Sequence, residues 1–196
     1  MNRLCILFFG CATAATCGYA QTSSGDMMIG GGLRFSSTSY EDGNVNDRNA
    51  LSVSPGFGYF INDNLAVGAS LAMMSSREGT GPNKTVTSSF GLGPFARYYM
   101  FTSNEQFGFF GQAQLEFSTG KTDPFTGDVS RHSAISFSLS PGAAFFFTAH
   151  WALEFSVSGF TFTSGNANTN TDGNRYTRVI FGLDSFSPEL GFRYHF

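Results

Sequence analysis

The sequence predicts an all-β fold, an eight-stranded antiparallel up-and-down transmembrane β-barrel. Apolar and small polar residues alternate with period two through most of the chain, as they do in a strand with two unlike faces. Turn residues divide this alternation into eight stretches, each long enough to cross a bilayer obliquely. Charged residues make up only 13% of the chain, about half the share of a soluble domain. These observations favour a barrel in lipid over a soluble enzyme.

The eight predicted strands lie between turns that are rich in Gly, Asn, Asp and Ser. We place them at residues 27–38, 50–61, 65–77, 86–101, 107–119, 134–148, 151–163 and 178–196. Residues 62–64, 102–106 and 149–150 form short connections, and residues 41–49, 78–85, 120–133 and 164–177 form longer polar ones. Short turns at one end and long loops at the other are typical of bacterial outer-membrane barrels.

An internal repeat supports the count of eight. Every second stretch has a proline followed by aromatic residues and then by a short turn or the end of the chain. These prolines are Pro55, Pro94, Pro141 and Pro188, spaced 39, 47 and 47 residues apart. Such a period also fits four-stranded propeller blades. Only two long strands fit into each period here, which favours four hairpins.

The two faces of each strand differ in bulk. In the second stretch, Leu51, Val53 and Phe57 share a face, and Ser52 and Ser54 share the other. An eight-stranded barrel has an interior just wide enough for side chains. Rows of Phe, Leu and Tyr would overfill it, so we expect the bulky face to meet lipid and the small polar face to line the lumen.

Charged residues within the strands share one face. The alternation predicts a luminal charge network of three basic and three acidic side chains, since a lipid-facing Arg costs about 2–4 kcal/mol near the midplane. Its members are Arg34, Arg97, Glu116, Glu154, Glu189 and Arg193. We interpret the network as a structural salt-bridge core, with a conduction or proton path as the alternative. Asp184 breaks the pattern, which predicts either a position above the apolar band or a bulge near Gly182.

Aromatic residues predict a lumen that is plugged at one end. Phe60, Phe110 and Phe146 have luminal parity and lie close to the short turns. The serine positions of the same faces lie farther towards the long loops. The plug is therefore expected on the periplasmic side.

The first 20 residues are predicted to be a signal peptide, which leaves residues 21–196 as an outer-membrane β-barrel domain. Arg3 precedes an apolar stretch, and Gly18-Tyr19-Ala20 supplies small residues at the cleavage positions. Lipid attachment at Cys17 is a less favoured alternative. All three cysteines lie in this segment, so the mature chain would have no thiol chemistry.

The C-terminus carries a further signal. The chain ends in Gly191, Phe192, Arg193, Tyr194, His195 and Phe196. This ending resembles the signal that outer-membrane barrels present to the barrel-assembly machinery, with Gly191, Tyr194 and Phe196 as the signal residues. Together with the hairpin from Leu51 to Leu71, it resembles the small outer-membrane β-barrel domain family of the OmpX and OmpW type. The resemblance implies a location in the bacterial outer membrane, and it implies little about activity.

The expected function is structural or surface-interacting, through the long loops, and not enzymatic. The alternatives are a narrow channel for small or apolar solutes and a lipid-modifying enzyme that would use His132 and Ser133. Loop oxygens at Asp42, Asn44 and Asn46 and at Asn168, Asn170 and Asp172 lack the closing Glu of a calcium loop, so we expect no cofactor or metal.

The expected partners are membrane lipid, the assembly machinery and a surface ligand. The contacts we expect for that ligand are exposed aromatic residues at loop tips, Phe125 and Tyr176, and the Asn-rich fourth loop over residues 164–177. His150 and His195 are expected at the surface or the rim. With two Lys and a net charge of −3, nucleic acid is excluded, and we expect a monomer.

Overall fold

The computed structural model describes residues 22–38, 47–79, 84–103, 106–169, 174–181 and 188–196. Its strands are β1 (Met27–Thr38), β2 (Arg48–Asn62), β3 (Leu65–Glu78), β4 (Thr85–Phe101), β5 (Phe107–Asp123), β6 (Ser130–Phe146), β7 (Trp151–Ser156), β8 (Phe160–Asn166), β9 (Arg175–Phe181) and β10 (Glu189–His195). In these ranges no helix has the length and apolarity needed to cross a membrane.

All pairings are antiparallel, and the sheet closes on itself. Strands β1 to β6 pair in chain order, β7 and β8 both pair with β6, and β10 returns to β1. Strands β7 and β8 together form the seventh wall strand, and β9 and β10 form the eighth. The prediction of an eight-stranded antiparallel barrel is confirmed.

The repeated prolines interrupt the strand ladders. Proline has no N–H to donate, and the ladder that faces each of Pro55, Pro94 and Pro141 has a gap at that position. Register is the same on both sides of the first two gaps. At Pro141 it shifts by one residue, because Gly142 pairs with Ser156 while Leu139 pairs with Phe160.

The shift at Pro141 splits the seventh predicted strand. Residues 157–159 leave the regular ladder, although Val157 and Gly159 still donate backbone hydrogen bonds to the carbonyls of Pro141 and Leu139. The extra residue exchanges the faces, so that even-numbered residues point inward in β7 and outward in β8. The prediction of one continuous strand over 151–163 is therefore wrong, because an extra residue is inserted opposite Pro141 and the apolar positions change from odd to even numbers across it.

The eighth predicted strand also differs from the prediction. Strand β9 begins at Arg175, and its outward residues Val179 and Phe181 have the opposite parity to Leu190 and Phe192 of β10. The faces are therefore exchanged between the two halves. Asp184 lies outside the described residues.

Several strands continue beyond the apolar residues. Strand β5 extends to Asp123 and β6 begins at Ser130, so most of the long connection predicted over 120–133 is strand. Alternation continues there, but with polar residues on both faces. The hydrophobic pattern therefore marks the apolar band and not the full length of the strands.

The bulky residues lie on the outside of the barrel. Phe57 is 46%, Phe109 50% and Phe155 39% exposed, whereas Phe60, Phe110 and Phe146 are buried. The small polar residues of the opposite parity line the lumen. This arrangement provides an apolar outer surface for lipid and a packed interior near the short turns.

Candidate functional site in the barrel lumen

The short-turn half of the lumen is filled by aromatic side chains. Met28, Phe60 and Tyr99 have no exposed surface, and Phe110 and Phe146 are 3% exposed. The ring of Tyr99 lies 5.8 Å from those of Phe60 and Phe110, measured between centroids. Ring contacts at these distances add stability beyond area burial, so these side chains form a packed plug.

His195 belongs to this plug. It is 4% exposed, and its ring lies 5.7 Å from Phe60 and 5.2 Å from Phe146. The expectation of a rim or surface residue is wrong. Since His195 has the parity of Arg193, alternation from the chain end places it inside the barrel.

Three charged side chains lie directly above the plug. Glu154 Oε1 accepts hydrogen bonds from Arg97 Nη1 at 2.6 Å, Arg193 Nε at 2.9 Å and the Tyr99 hydroxyl at 3.1 Å. All three charged residues are at most 6% exposed. The Arg97 guanidinium also lies 4.1 Å from the Phe110 ring centroid. One carboxylate thus serves two buried guanidinium groups, and this triad carries a formal charge of +1.

A ladder of side-chain amides connects the triad to Glu116. Arg97 donates from Nε and Nη2 to Gln112 Oε1 at 2.9 and 2.6 Å. Gln112 Nε2 donates to Gln114 Oε1 at 2.9 Å, and Gln114 Nε2 donates to Glu116 Oε2 at 3.4 Å. The donors all point one way along β5, from the guanidinium towards the carboxylate. The amide dipoles therefore link the positive triad to an acidic group higher in the lumen.

The remaining two charges form a separate pair on another wall. Arg34 Nη2 lies 3.3 Å from Glu189 Oε2, with side chains 35% and 26% exposed. Glu189 Oε1 also accepts from the Ser54 hydroxyl at 2.7 Å. A Cβ at Gly32 would overlap the Glu189 carboxylate, so this glycine leaves the space that the carboxylate occupies.

A polar cavity of about 460 Å³ lies above the triad, on the side of the long connections. Arg97, Phe110 and Glu154 form its floor, and His132 and Tyr176 lie near its upper rim. Hydroxyl groups dominate the wall between them, from Ser52, Ser54, Ser136, Ser138, Ser140 and Ser156. Such a lining can hydrogen-bond water or a small polar solute. The floor is closed by the packed side chains and offers neither of them a way through.

The structure places all six predicted network residues on the luminal face, in three separate groups. The triad holds Arg97, Glu154 and Arg193, and Arg34 pairs with Glu189. Glu116 forms no salt bridge within the described ranges and reaches the triad only through the amides. Sequence reasoning missed Gln112, Gln114, Tyr99 and Met28. Their parity points inward, but an uncharged side chain carries no cost argument that would assign it to the network.

Other candidate residues do not form a site. His132 and Ser133 are neighbours on β6 and point to opposite faces. No cluster of three His, Cys, Asp or Glu side chains suited to a metal occurs in the part of the chain that the structure describes. Most of the predicted loop oxygens, Asp42, Asn44, Asn46, Asn170 and Asp172, lie outside that part.

The two loop aromatic residues differ in their positions. Phe125 is 56% exposed in the connection between β5 and β6. Tyr176 lies within β9, half-buried and bordering the cavity. The expectation of an exposed loop tip at Tyr176 is wrong, because β9 begins before this residue.

A family model described as "Outer membrane protein beta-barrel domain" matches residues 4–196. No curated protein sequence matches the chain. Among solved structures, the chain is similar to the N-terminal β-barrel domain of Pseudomonas aeruginosa OprF at 14% identity, with a TM-score of 0.47 and coverage of 90% of this chain and 100% of that one. The chain is also similar to Neisserial surface protein A at 17% identity, with a TM-score of 0.48 and coverage of 87% of this chain and 96% of that one. It is similar to OprG of Pseudomonas aeruginosa at 15% identity, with a TM-score of 0.48 and coverage of 91% of this chain and 99% of that one.

Proposed function

Because the chain belongs to the outer membrane protein β-barrel domain family, we propose that it is a non-conducting outer-membrane barrel that presents its long connections to partners outside the cell. The proposal follows the usual orientation of such barrels, with short turns in the periplasm and longer loops outside. The plug then lies on the periplasmic side, and the polar cavity opens outward.

The plug is the observation that supports a non-conducting barrel. Phe60, Tyr99 and Met28 are fully buried across the lumen, and the triad seals the space above them. An ion entering from the cavity would have to displace packed rings and break hydrogen bonds to buried guanidinium groups. Such a rearrangement costs several kcal/mol.

The connection between β5 and β6 supports an interaction role. Phe125 is 56% and Val129 42% exposed at the end of the longest strands of the barrel. Apolar side chains exposed in that position offer a contact for a partner. A variant Phe125→Asp would test this contact in a whole-cell binding assay, with folding checked by gel migration.

Conductance in planar bilayers tests the plugged lumen. We expect the wild-type barrel to show no steady openings. The double variant Phe60→Ser, Tyr99→Ser removes the two fully buried rings of the plug and the hydroxyl that donates to Glu154, and it should pass ions. The matched control Tyr59→Ser, Tyr98→Ser changes their outward neighbours, which are 43% and 51% exposed, and it should remain silent. Steady openings of the wild-type barrel would refute the proposal and favour a narrow channel. The hydroxyl-lined cavity would then be the outer half of that channel.

The proposal contains no catalytic step. A lipid-modifying enzyme would need His132 to activate a nucleophile, but Ser133 points to the opposite face of β6. Acyl release from outer-membrane lipid, lost in His132→Ala, would contradict this part of the proposal.

A further inference from the structure

The outer surface of β5 and β6 carries a strip of three chemical layers. Phe117 lies opposite Ile135 in the apolar band, and Thr119 lies opposite Ser133 in the next outward row. Lys121 lies opposite Arg131 in the row above that. The strip therefore changes from apolar to hydroxyl to doubly cationic, moving towards the long connections.

The Lys121–Arg131 pair is unfavourable in the barrel alone. The two residues are direct cross-strand partners, and like charges in that position destabilise a sheet. Within the described residues, neither side chain takes part in a salt bridge. Asp123 is the nearest outward carboxylate along β5, one row above Lys121, and it forms no salt bridge with either cation among the described residues. An anion placed between Lys121 and Arg131 would offset their repulsion.

The same order of layers recurs on other strands. Outward residues follow the order Met73, Ser75, Arg77 on β3 and Val179, Thr177, Arg175 on β9. In contrast, the short-turn regions 57–68, 98–111 and 142–155 contain no Lys or Arg. Cations on the lipid-facing surface therefore belong to one end of the barrel.

We propose that the Lys121–Arg131 strip binds the phosphate group of a phosphorylated glycolipid of the outer leaflet. The two cations hold the phosphate, the hydroxyls of Thr119 and Ser133 lie at the sugar level, and the acyl chains lie along Phe117 and Ile135. The inference rests on the outward orientation of the long connections in the proposed function. It does not depend on the state of the lumen.

The layering favours a lipid over free phosphate. An inorganic ion would use only the cationic row, whereas the strip continues downward through the pair Leu115 and Phe137. Arg175 pairs with Asn166, which pairs with Ser133. Arg175 therefore lies two strands away from β6, and neighbouring strands are about 4.8 Å apart. At that distance this third cation is within reach of the same headgroup.

Binding of defined lipids by the folded chain tests the proposal. The probes are a diphosphorylated, acylated glucosamine disaccharide, the same lipid without phosphates, and inorganic phosphate. Binding is measured by native mass spectrometry from uncharged micelles. At about 1 kcal/mol for each basic residue near a charged lipid surface, Lys121→Gln with Arg131→Gln should weaken binding of the phosphorylated lipid about thirtyfold.

The matched control is Arg77→Gln with Lys84→Gln, which removes the same charge from the same end of the barrel and should retain most of the affinity. Lys121→Arg should bind as the wild type does, because it keeps the charge. Gel migration before and after boiling reports folding of each variant.

Equal weakening by the control pair would overturn the site in favour of diffuse charge attraction. Unchanged binding by the double variant, equal binding of the dephosphorylated lipid, or inorganic phosphate binding as tightly as the lipid would also overturn it. A conducting wild-type barrel would refute the plugged lumen and leave these results unaffected, so the two proposals fail separately.

Discussion

The substitution Glu154→Gln tests the buried triad. It keeps the size of the side chain and one carbonyl oxygen, and it removes the charge. In the wild type a single oxygen, Glu154 Oε1, accepts from Arg97, Arg193 and Tyr99 at 2.6, 2.9 and 3.1 Å. Glutamine can retain some of these hydrogen bonds. It leaves two buried guanidinium groups without the carboxylate that they share.

The expected cost follows from burial. Removing one partner of a buried ion pair costs about 3–5 kcal/mol, and the side chains of this triad are 5–7% exposed. The substitution Glu189→Gln is the matched control, because it breaks the pair with Arg34, whose side chains are 35% and 26% exposed. A solvated pair contributes about 0–1 kcal/mol, so the two variants should differ by about 3 kcal/mol.

Urea unfolding from lipid vesicles measures the difference. Trp151 is the only tryptophan, and it is 44% exposed on the outer surface, so its fluorescence should change when the strand leaves lipid. Migration of unboiled samples on gels gives an independent measure of the folded fraction. Equal losses in Glu154→Gln and Glu189→Gln, or a stable Glu154→Gln barrel, would refute the reasoning that burial makes the triad essential.

Two further predictions concern packing and assembly. Gly142→Ala should destabilise the barrel by about 1–3 kcal/mol, because the added Cβ would overlap the Phe110 ring. The control Gly111→Ala should be neutral in the same urea experiment, because nothing lies within 4 Å of the added Cβ. Equal effects of the two substitutions would contradict the overlap. Phe196→Ala should slow insertion by the assembly machinery while changing the final stability little, since Phe196 is 52% exposed; insertion at the wild-type rate would contradict a signal role.

Parity and charge cost allowed the luminal face to be predicted from sequence. Arg97 and Glu154 lie 57 positions apart, yet each could be placed inside from its own strand alone, because a charge facing lipid is costly and alternation fixes its neighbours. Bulk gave the same orientation independently. Such arguments need only the period of the strand and the width of an eight-stranded barrel.

Groupings within the lumen could not be predicted in the same way. Which carboxylate meets which guanidinium depends on the stagger between strands, and alternation does not fix that stagger. Glu116 has luminal parity like Glu154, but it meets Gln114 instead of an arginine. The amide ladder follows from three inward positions on β5, and two of them, Gln112 and Gln114, carry no charge that would mark them in the sequence.

The face exchange opposite Pro141 involves both the seventh predicted strand and its neighbour β6. The sequence itself marks the exchange, since the apolar positions are odd from Trp151 to Val157 and even at Phe160 and Phe162, on either side of Gly159. On β6 the missing N–H of Pro141 lies opposite residues 157–159, which have no regular ladder partner. Pro55 and Pro94 have the same missing donor, and the register there is unchanged. A proline therefore permits an extra residue in the facing strand, and the sequence of that strand determines whether one is inserted. Here Gly159 provides the room for it, because a Cβ added at this position would lie 3.0 Å from the Pro141 ring.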